Sequence, residues 1–378
     1  MKFEFLRANL ANTLDFIKSA IPRKEVAEPV LNSFHFKGLE GNKVQIVATD
    51  YDLMAVALCD CVSCELGEFT IPADKLLNLI GMLSGENISF DISGSSIFIT
   101  CGTYHAEFKT LGCENYPPVF EITNKTVKLS FNRESVLNGF RRIDFAVNSD
   151  EAKKQLMAVQ VSKDGMVASN GSVTALYRES FDVDTFCISS SCLSDLIAVM
   201  ASSNVETVDI FEEESYLVFK FGDNVFFTRK TNVTFPDVFN KIDKPTQEQN
   251  VHFVTFKNKE LTSVLRRISL TAPDDTRVVK FEIADSSTMR ISARDSKDFF
   301  SEETVSYQYE KSGEPGASID PSIKVYFNYM VLLDVLSKMA AEDIEFKFNF
   351  DMIRMPVRVD EDKTTVFLMR SAPPNGEE

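Results

Sequence analysis

The chain lacks tryptophan, has only three histidines and carries an odd number of cysteines, seven. An odd and scattered set of cysteines argues against a disulfide framework and is typical of a reducing compartment. No apolar run approaches the roughly 18 residues of a membrane span. The first residues also lack the basic, apolar, small-residue order of a secretory signal. We therefore expect a cytoplasmic protein with no membrane association.

Signatures of catalysis and metal binding are missing as well. The chain has no GxSxG, GxxxxGK[ST] or GxGxxG motif, so nothing predicts a catalytic serine or a phosphate-cradling loop. The histidines lack the spacing of metal ligands, and the CxCxxC group has no second cluster beside it. Both observations argue against a zinc site. The histidines are His35, His105 and His252, and the clustered cysteines are Cys59, Cys61 and Cys64. We expect no catalytic residue, no cofactor and no metal.

Basic residues are outnumbered, with 40 Lys and Arg against 56 Asp and Glu, for a net charge of −16. Such a balance ordinarily argues against nucleic acid, because sequence-independent binding depends on cations that neutralise phosphates. The basic residues are concentrated, however, in two predicted helices, where they are Arg133, Arg141 and Arg142, and Lys257, Lys259, Arg266 and Arg267. A solvated helix face is the alternative interpretation of such a cluster.

One pattern occurs three times, in residues 2–17, 128–143 and 253–268. Its first two apolar positions alternate as in a strand, and its last three recur at i, i+4 and i+7 as on one face of a helix. The aligned sets are Phe3, Leu129 and Val254; Phe5, Phe131 and Phe256; Leu10, Val136 and Leu261; Leu14, Phe140 and Leu265; and Ile17, Ile143 and Ile268. Each copy predicts a strand that runs into an amphipathic helix.

A second helix also recurs, aligning Leu76, Leu193 and Leu332; Leu79, Leu196 and Val335; Ile80, Ile197 and Leu336; and Leu83, Met200 and Met339. A period near 125 residues exceeds the roughly 20–50 residues of solenoid repeats and matches a whole small domain. We predict an α+β protein of three tandem copies, each with two helices and about eight strands. The predicted boundaries are 1–122, 123–248 and 249–378, with a flexible tail at 371–378.

Several stretches, in this order and spacing, resemble the bacterial DNA sliding clamp, the beta subunit of DNA polymerase III, over the whole chain. They are the opening MKF, IVATDYDLMAV, VASNGSVTALYRES, FPDV at 235–238, ISARD followed by SEETVSY, FNYMVLLDVL, and LMR near the C-terminus. The chain is identified as a divergent member of that family. The resemblance implies a homodimeric ring of clamp domains around double-stranded DNA. It also implies a non-catalytic processivity factor that binds the polymerase III catalytic subunit, the clamp loader and other proteins with clamp-binding motifs.

The resemblance also implies three sets of site residues. For DNA they are Arg23, Lys24, Arg133, Arg141, Arg142, Lys153, Lys154, Arg266 and Arg267. For a peptide pocket they are Leu156, Gly171, Ser172, Val173, Thr174, Pro236, Asn328, Val331, Met352, Arg354, Met369 and Arg370. For the dimer interface they are Lys109, Leu270, Glu302 and Glu303, with YHAEFKTL and the strand near SEETVSYQ as the pairing edges.

Without the resemblance, the residues alone leave two other functions open. One is a protein-interaction scaffold of clamp-like fold that does not encircle DNA. The other is an enzyme whose site is assembled from carboxylates, which the missing nucleophile and metal patterns disfavour. In the pocket, only Gly171 matches the family pattern Thr, Asp, Gly, His, Arg, Leu, so the peptide preference is not predicted.

Overall fold

The computed structural model describes residues 1–23, 26–124, 126–231, 233–237, 251–295, 297, 299–311, 314, 316–317, 319–320, 322–348 and 357–373. The first third of the chain holds β1 (Lys2–Leu6), α1 (Arg7–Ile17), β2 (Ser33–Leu39), β3 (Lys43–Thr49), β4 (Leu53–Asp60), β5 (Ser63–Cys64), β6 (Gly67–Pro72), α2 (Ala73–Met82), β7 (Asn87–Ser93), β8 (Ser96–Cys101) and β9 (Tyr104–Lys109).

The second third holds β10 (Val127–Asn132), α3 (Arg133–Ile143), β11 (Ala158–Ser162), β12 (Gly165–Ser169), β13 (Val173–Tyr177), β14 (Phe186–Ser189), α4 (Ser190–Ser202), β15 (Thr207–Glu212), β16 (Tyr216–Phe221) and β17 (Asn224–Arg229). The last third holds β18 (His252–Lys257), α5 (Asn258–Ile268), β19 (Val278–Ile283), β20 (Thr288–Arg294), β21 (Phe300–Lys311), β22 (Lys324–Asn328), α6 (Tyr329–Lys338), β23 (Asp343–Phe348), β24 (Val357–Glu361) and β25 (Thr364–Leu368). The predicted α+β class is confirmed.

All strand pairs are antiparallel, and the chain divides into two compact units. The first unit, 1–138 with 191–231, contains a five-stranded sheet in the order β5-β1-β7-β8-β9. It also contains an eight-stranded sheet in the order β10-β15-β16-β17-β4-β3-β2-β6. The second unit, 139–190 with 232–378, contains a twelve-stranded sheet in the order β14-β11-β12-β13-β25-β24-β23-β18-β21-β20-β19-β22. The three-domain division remains a prediction.

The repeated strand-helix unit is confirmed in all three places: β1 with α1, β10 with α3, and β18 with α5. Every residue at its five aligned apolar positions is buried. The first residue of each helix donates its backbone N–H, at 2.8 Å, to a glutamate carbonyl just before the strand that pairs with the unit. These bonds run from Arg7 to Glu86, from Arg133 to Glu206 and from Asn258 to Glu342.

The second repeated helix is confirmed as α2, α4 and α6. Its aligned apolar residues are buried except Leu83 and Ile197, which are partly buried. Burial of these stripes drives the helices onto the sheets, because apolar area removed from water is the main favourable term in folding. Within the described residues, no helix is both long and apolar enough to cross a membrane.

Gly139 lets α3 lie directly on β12 and β13. A Cβ atom there would come within 2.1 Å of the Met166 methyl carbon and 2.7 Å of the Tyr177 ring. Neither neighbour leaves room for a side chain. The glycine is therefore needed for close packing of the helix on the sheet rather than for an unusual backbone angle.

Replacing Gly139 with valine is expected to lower the free energy of unfolding by about 1–3 kcal/mol, because overpacking forces neighbours out of place. The matched control is Gly81→Ala in α2, where an added Cβ meets nothing within 4 Å. That change should raise stability by about 0.5–1 kcal/mol, since glycine is the poorer helix residue. Urea unfolding measures both, and equal midpoints for Gly139→Val and the parent would contradict the packing described.

Candidate nucleic-acid interface and peptide site

Two of the predicted DNA-binding arginines in the repeated helices are held by carboxylates of the same chain. Arg142 Nη1 lies 2.8 Å from Glu361 Oε2. Arg267 donates to both carboxylate oxygens of Glu303, at 2.8 Å from Nε and 2.6 Å from Nη2, and a third bond reaches Ser263. The hydrogen bond from Arg267 lowers the pKa of Glu303. These pairings neutralise part of the charge that the two arginines would offer to phosphate.

The other member of each arginine pair is exposed. Arg141 in α3 and Arg266 in α5 occupy the same register of the repeated unit, on the face away from the buried stripe. Neither side chain makes a hydrogen bond or an ion pair within the described residues. They are therefore the arginines of these helices best placed to meet a phosphate backbone.

Arg133 has a structural task that the sequence did not reveal. Its Nε donates to Val205 O at 2.8 Å and its Nη1 to Met200 O at 2.9 Å, so it satisfies carbonyls at and beyond the end of α4. Asn258, at the same position of the third copy, likewise donates to the carbonyl oxygens of Leu336 and Met339. These contacts join the two helices of a copy, and a role for Arg133 in DNA binding stays a prediction.

Arg23 pairs with Asp195, a carboxylate whose side chain is only 6% exposed. Its second contact is Ser194 Oγ at 3.5 Å. Burial raises the pKa of Asp195 to about 6, and the neighbouring Arg23 opposes that shift. The ion pair fastens the segment after α1 to α4, which leaves Arg23 partly neutralised.

The remaining predicted lysines differ in their surroundings. Lys153 donates to Asn170 O at 3.0 Å, whereas Lys154 is exposed and makes no side-chain bond among the described residues. Lys24 lies outside the described residues.

A tight turn connects β12 to β13 and carries much of the predicted peptide site. Asn170 Oδ1 accepts the backbone N–H groups of Ser172 and Val173, at 2.9 and 3.0 Å. Gly171 between them has φ of +87°, which suits glycine. Ser169 Oγ lies 2.7 Å from Thr174 Oγ1, so the strand ends are locked together.

The same turn recurs in the first copy, between β3 and β4. Asp50 takes the place of Asn170 and accepts the backbone N–H groups of Asp52 and Leu53, at 3.0 and 2.7 Å. Tyr51 takes the glycine position with φ of +73°. The sequences ATDYD and ASNGS contain this signal, because in both an Asx residue stands three positions before the next strand begins.

The predicted pocket residues Val173, Thr174 and Met369 lie together because β13 pairs with β25. Val173 is opposite Leu368, and the Met369 N–H donates to Ser172 O at 2.9 Å. The Met369 side chain is 46% exposed, whereas Val173 is buried. An exposed thioether at this strand end offers apolar surface next to the turn.

Beneath that surface lies a cluster of buried apolar side chains. It comprises Leu156, Ala158, Val167, Leu176, Phe235 and Phe367. Pro236, the residue after Phe235, is exposed. Leu156 thus packs in one cluster with Phe235, the residue that precedes Pro236 in the chain.

The remaining described pocket residues lie on three segments: Asn328 on β22, Val331 on α6 and Arg370 in the chain after β25. The Ser371 N–H donates to Tyr326 O at 2.8 Å, so this last segment contacts β22 two residues before Asn328. Asn328 caps α6 by accepting from the N–H groups of Met330 and Val331, at 3.0 and 3.4 Å. Burial lowers the pKa of the half-buried Arg370. Met352 and Arg354, also predicted here, lie outside the described residues.

The predicted pairing edges are exposed strand edges. β9 pairs only with β8 among the described strands. β21 pairs with β18 through Tyr307–Lys311 and with β20 through Phe300–Ser306, so its first half has an open side. Leu270, predicted to lie near this interface, is 85% exposed. The predicted charges already have partners, since Lys109 lies 2.5 Å from Glu107 and Glu302 lies 3.6 Å from Arg290.

Comparison with known proteins agrees with this geometry. The family model of the DNA polymerase III beta subunit, N-terminal domain, matches residues 1–120, and that of the C-terminal domain matches residues 245–369. Together the two matches take in well over half of the chain. The chain belongs to the DNA polymerase III beta subunit family.

Curated relatives are similar over nearly their full length. The chain is 24% identical to the beta sliding clamp of Chlamydia muridarum over 362 residues, which covers 91% of this chain and 92% of that protein. It is 22% identical to the beta sliding clamp of Caulobacter vibrioides over 364 residues, with 92% and 93% covered. Identity at this level supports the prediction of a divergent member.

Solved structures share the fold. A DNA polymerase III beta subunit from Thermotoga maritima superposes with a TM-score of 0.84 at 21% identity, covering 99% of this chain and 100% of that one. One from Pseudomonas aeruginosa superposes with a TM-score of 0.83 at 19% identity, covering 98% and 100%. The family matches and the curated relatives confirm the predicted function as a processivity clamp, a non-catalytic factor of DNA polymerase III.

Proposed function

We propose that this beta sliding clamp forms a homodimeric ring in the cytoplasm, encircles duplex DNA and tethers the polymerase III catalytic subunit to it. The observation that carries the DNA contact is the pair of exposed arginines, Arg141 and Arg266, in one register of the repeated helices. A ring holds DNA by topology, so a few weak phosphate contacts are enough and an acidic chain is tolerated. The sequence copies 1–122, 123–248 and 249–378 would be the three clamp domains of each subunit.

The double variant Arg141→Glu/Arg266→Glu is expected to weaken DNA binding and shorten the products of processive synthesis. If each arginine neutralises one phosphate, the slope of log K against log salt should fall by about 0.9 for each arginine replaced. The matched control is Lys220→Glu/Lys324→Glu, which makes the same charge change at exposed lysines on sheet strands.

Retention on nicked circular plasmid, compared with the linearised plasmid, reports encirclement separately from affinity. The parent should stay on the circle and slide off the linear form. Equal loss from both forms by the parent would favour a clamp-fold scaffold that does not encircle DNA. If the two double variants had equal effects on DNA binding, the assignment of the repeated helices to the DNA interface would be wrong.

The ring would close where the β9 edge of one subunit meets the open half of β21 in the other. Unpaired strand edges are satisfied by such pairing. Exposed apolar side chains occur at both edges, with Tyr104 on the first and Leu270 and Phe300 on the second. Because the nearby charges are already paired within the chain, apolar burial would carry most of the association energy.

Leu270→Asp is expected to convert the dimer to a monomer, since a carboxylate replaces the most exposed apolar side chain near this interface. Analytical ultracentrifugation at micromolar concentration should give twice the chain mass of 42.5 kDa for the parent and the chain mass for the variant. Met82→Asp is the control, because Met82 is 84% exposed and lies on α2 rather than on either proposed edge strand. A monomeric parent would overturn the ring.

The peptide site would lie over the buried cluster of Leu156, Phe235 and Phe367, beside Met369. An extended peptide with leucine or phenylalanine anchors gains affinity by burying them, and methionine adjusts its shape to the occupant. With Ser172, Val173 and Thr174 at the turn, the surface offers apolar contact without a cation from the turn itself. The clamp loader and other proteins with clamp-binding motifs would use the same site.

Met369→Lys is expected to weaken binding of a peptide from the polymerase III catalytic subunit by at least about tenfold, because a buried anchor would then face an ammonium group. Met82→Lys is the control for a lysine at an exposed methionine. Fluorescence anisotropy measures the affinity, and ultracentrifugation shows that both variants still dimerise. A Met369→Lys protein that binds as tightly as the parent would place the peptide elsewhere.

A further inference from the structure

Three potential metal ligands from separate elements of the first unit come together at the edge of the eight-stranded sheet. They are His35 of β2, Glu68 of β6 and Cys113, which begins the 3-10 turn Cys113–Asn115 after β9. One ligand atom of each lies within 4.8 Å of those of the other two. No other such group of three His, Cys, Asp or Glu residues occurs among the residues that the structure describes.

Strand register brings the first two ligands together. β2 and β6 pair antiparallel with Lys37 opposite Glu68, so His35 and Glu68 are diagonal neighbours on one face. His35 Nε2 lies 3.4 Å from Glu68 Oε2. The imidazole also stacks on the Tyr116 ring with centroids 4.9 Å apart, and its side chain is 12% exposed. The ring is therefore fixed before any ligand arrives.

The cysteine is held on both sides of its position in the chain. Before it, Thr70 Oγ1 of β6 donates to Leu111 O at 2.6 Å. After it, the Tyr116 hydroxyl donates to Val47 O at 3.0 Å, and the Tyr116 N–H bonds to Cys113 O at 2.9 Å. These bonds hold the Cys113 thiol over the edge strand, beside the other two groups.

The donor set suits zinc. Zn²⁺ binds Cys sulfur at about 2.3 Å and His nitrogen or Glu oxygen at about 2.0–2.2 Å, which places ligand atoms of a tetrahedral site about 3.4–3.8 Å apart. Closing the observed group requires a movement of about 1 Å, which the half-exposed Glu68 side chain and a short 3-10 turn allow. Ca²⁺ and Mg²⁺ prefer sets made only of oxygen, which this group is not.

We propose that His35, Glu68 and Cys113 form a zinc site, with the fourth coordination position taken by water. The metal would staple the turn at Cys113 to the edge strand β6, where the chain leaves its first copy for the second. This assignment departs from the expectation of no metal, which rests on the sequence spacing of the histidines. It also differs from the CxCxxC group, in which Cys59 lies on β4, Cys64 on β5 and Cys61 in the connection between them.

Full-length protein, treated with chelator and then dialysed, is titrated with Zn²⁺ alone in competition with a chromophoric chelator. The parent should bind one zinc per chain, and Cys113→Ser and Glu68→Gln should each bind it at least tenfold more weakly. Cys61→Ser/Cys64→Ser is the matched control, because both cysteines are partly buried like Cys113, and it should retain parental affinity. Co²⁺ should give an intense near-ultraviolet thiolate absorption in the parent and the control, and none in Cys113→Ser.

Unfolding midpoints measured without zinc test whether the variants fold, and added zinc should raise the midpoint of the parent but not of Cys113→Ser. Because the Glu68 side chain is half exposed, Glu68→Gln is expected to fold. Its zinc affinity therefore tests the proposed site if Cys113→Ser fails to fold. Parental zinc affinity in Glu68→Gln, no binding by the parent, or loss of binding only in Cys61→Ser/Cys64→Ser would each overturn the proposal. All these readouts are independent of clamp activity.

Discussion

Two antiparallel strand pairings, β4 with β17 and β13 with β25, connect sequence copies that would otherwise end in open sheet edges. Val56 lies opposite Val225 in the first pairing and Val173 opposite Leu368 in the second. Each pairing satisfies backbone groups that would otherwise template aggregation. Because the sheets continue across the sequence boundaries, the two compact units do not coincide with the three copies.

The candidate peptide site depends directly on the second pairing. It places Met369 next to Ser172 and brings Phe367 into the cluster with Leu156 and Phe235. The equivalent turn in the first copy has the same Asx geometry, yet Asp52 there forms an ion pair with Arg229 at 3.2 Å. The two copies of the turn thus have different neighbours, because β17 pairs with β4 after the first turn and β25 pairs with β13 after the second.

The repeated helices likewise carry charged residues whose partners differ from copy to copy. Repeated helices supply arginines in matching registers, but Arg142 and Arg267 each meet a glutamate of the same chain. In the first copy the aligned residues are Asp15 and Phe16, and Asp15 pairs with Lys18 at 2.7 Å. An acidic protein can therefore present basic surface at a few positions while other cations, such as Arg142 and Arg267, are neutralised by glutamates of the same chain, which suits weak and sequence-blind contact with DNA.

The sequence alone determined the α+β class, the two repeated units and the five aligned buried positions of the first unit, because strand and helix periods are local properties of the chain. The resemblance to the clamp family, rather than any local pattern, put Gly171 in the peptide site and the segment of β9 at a pairing edge, and both roles remain predictions. The sequence did not determine which arginines are free, that Arg133 caps α4, or that His35, Glu68 and Cys113 converge. Those facts depend on pairs such as Arg142 with Glu361, whose members are 219 residues apart, and only the folded sheets bring such residues within bonding distance.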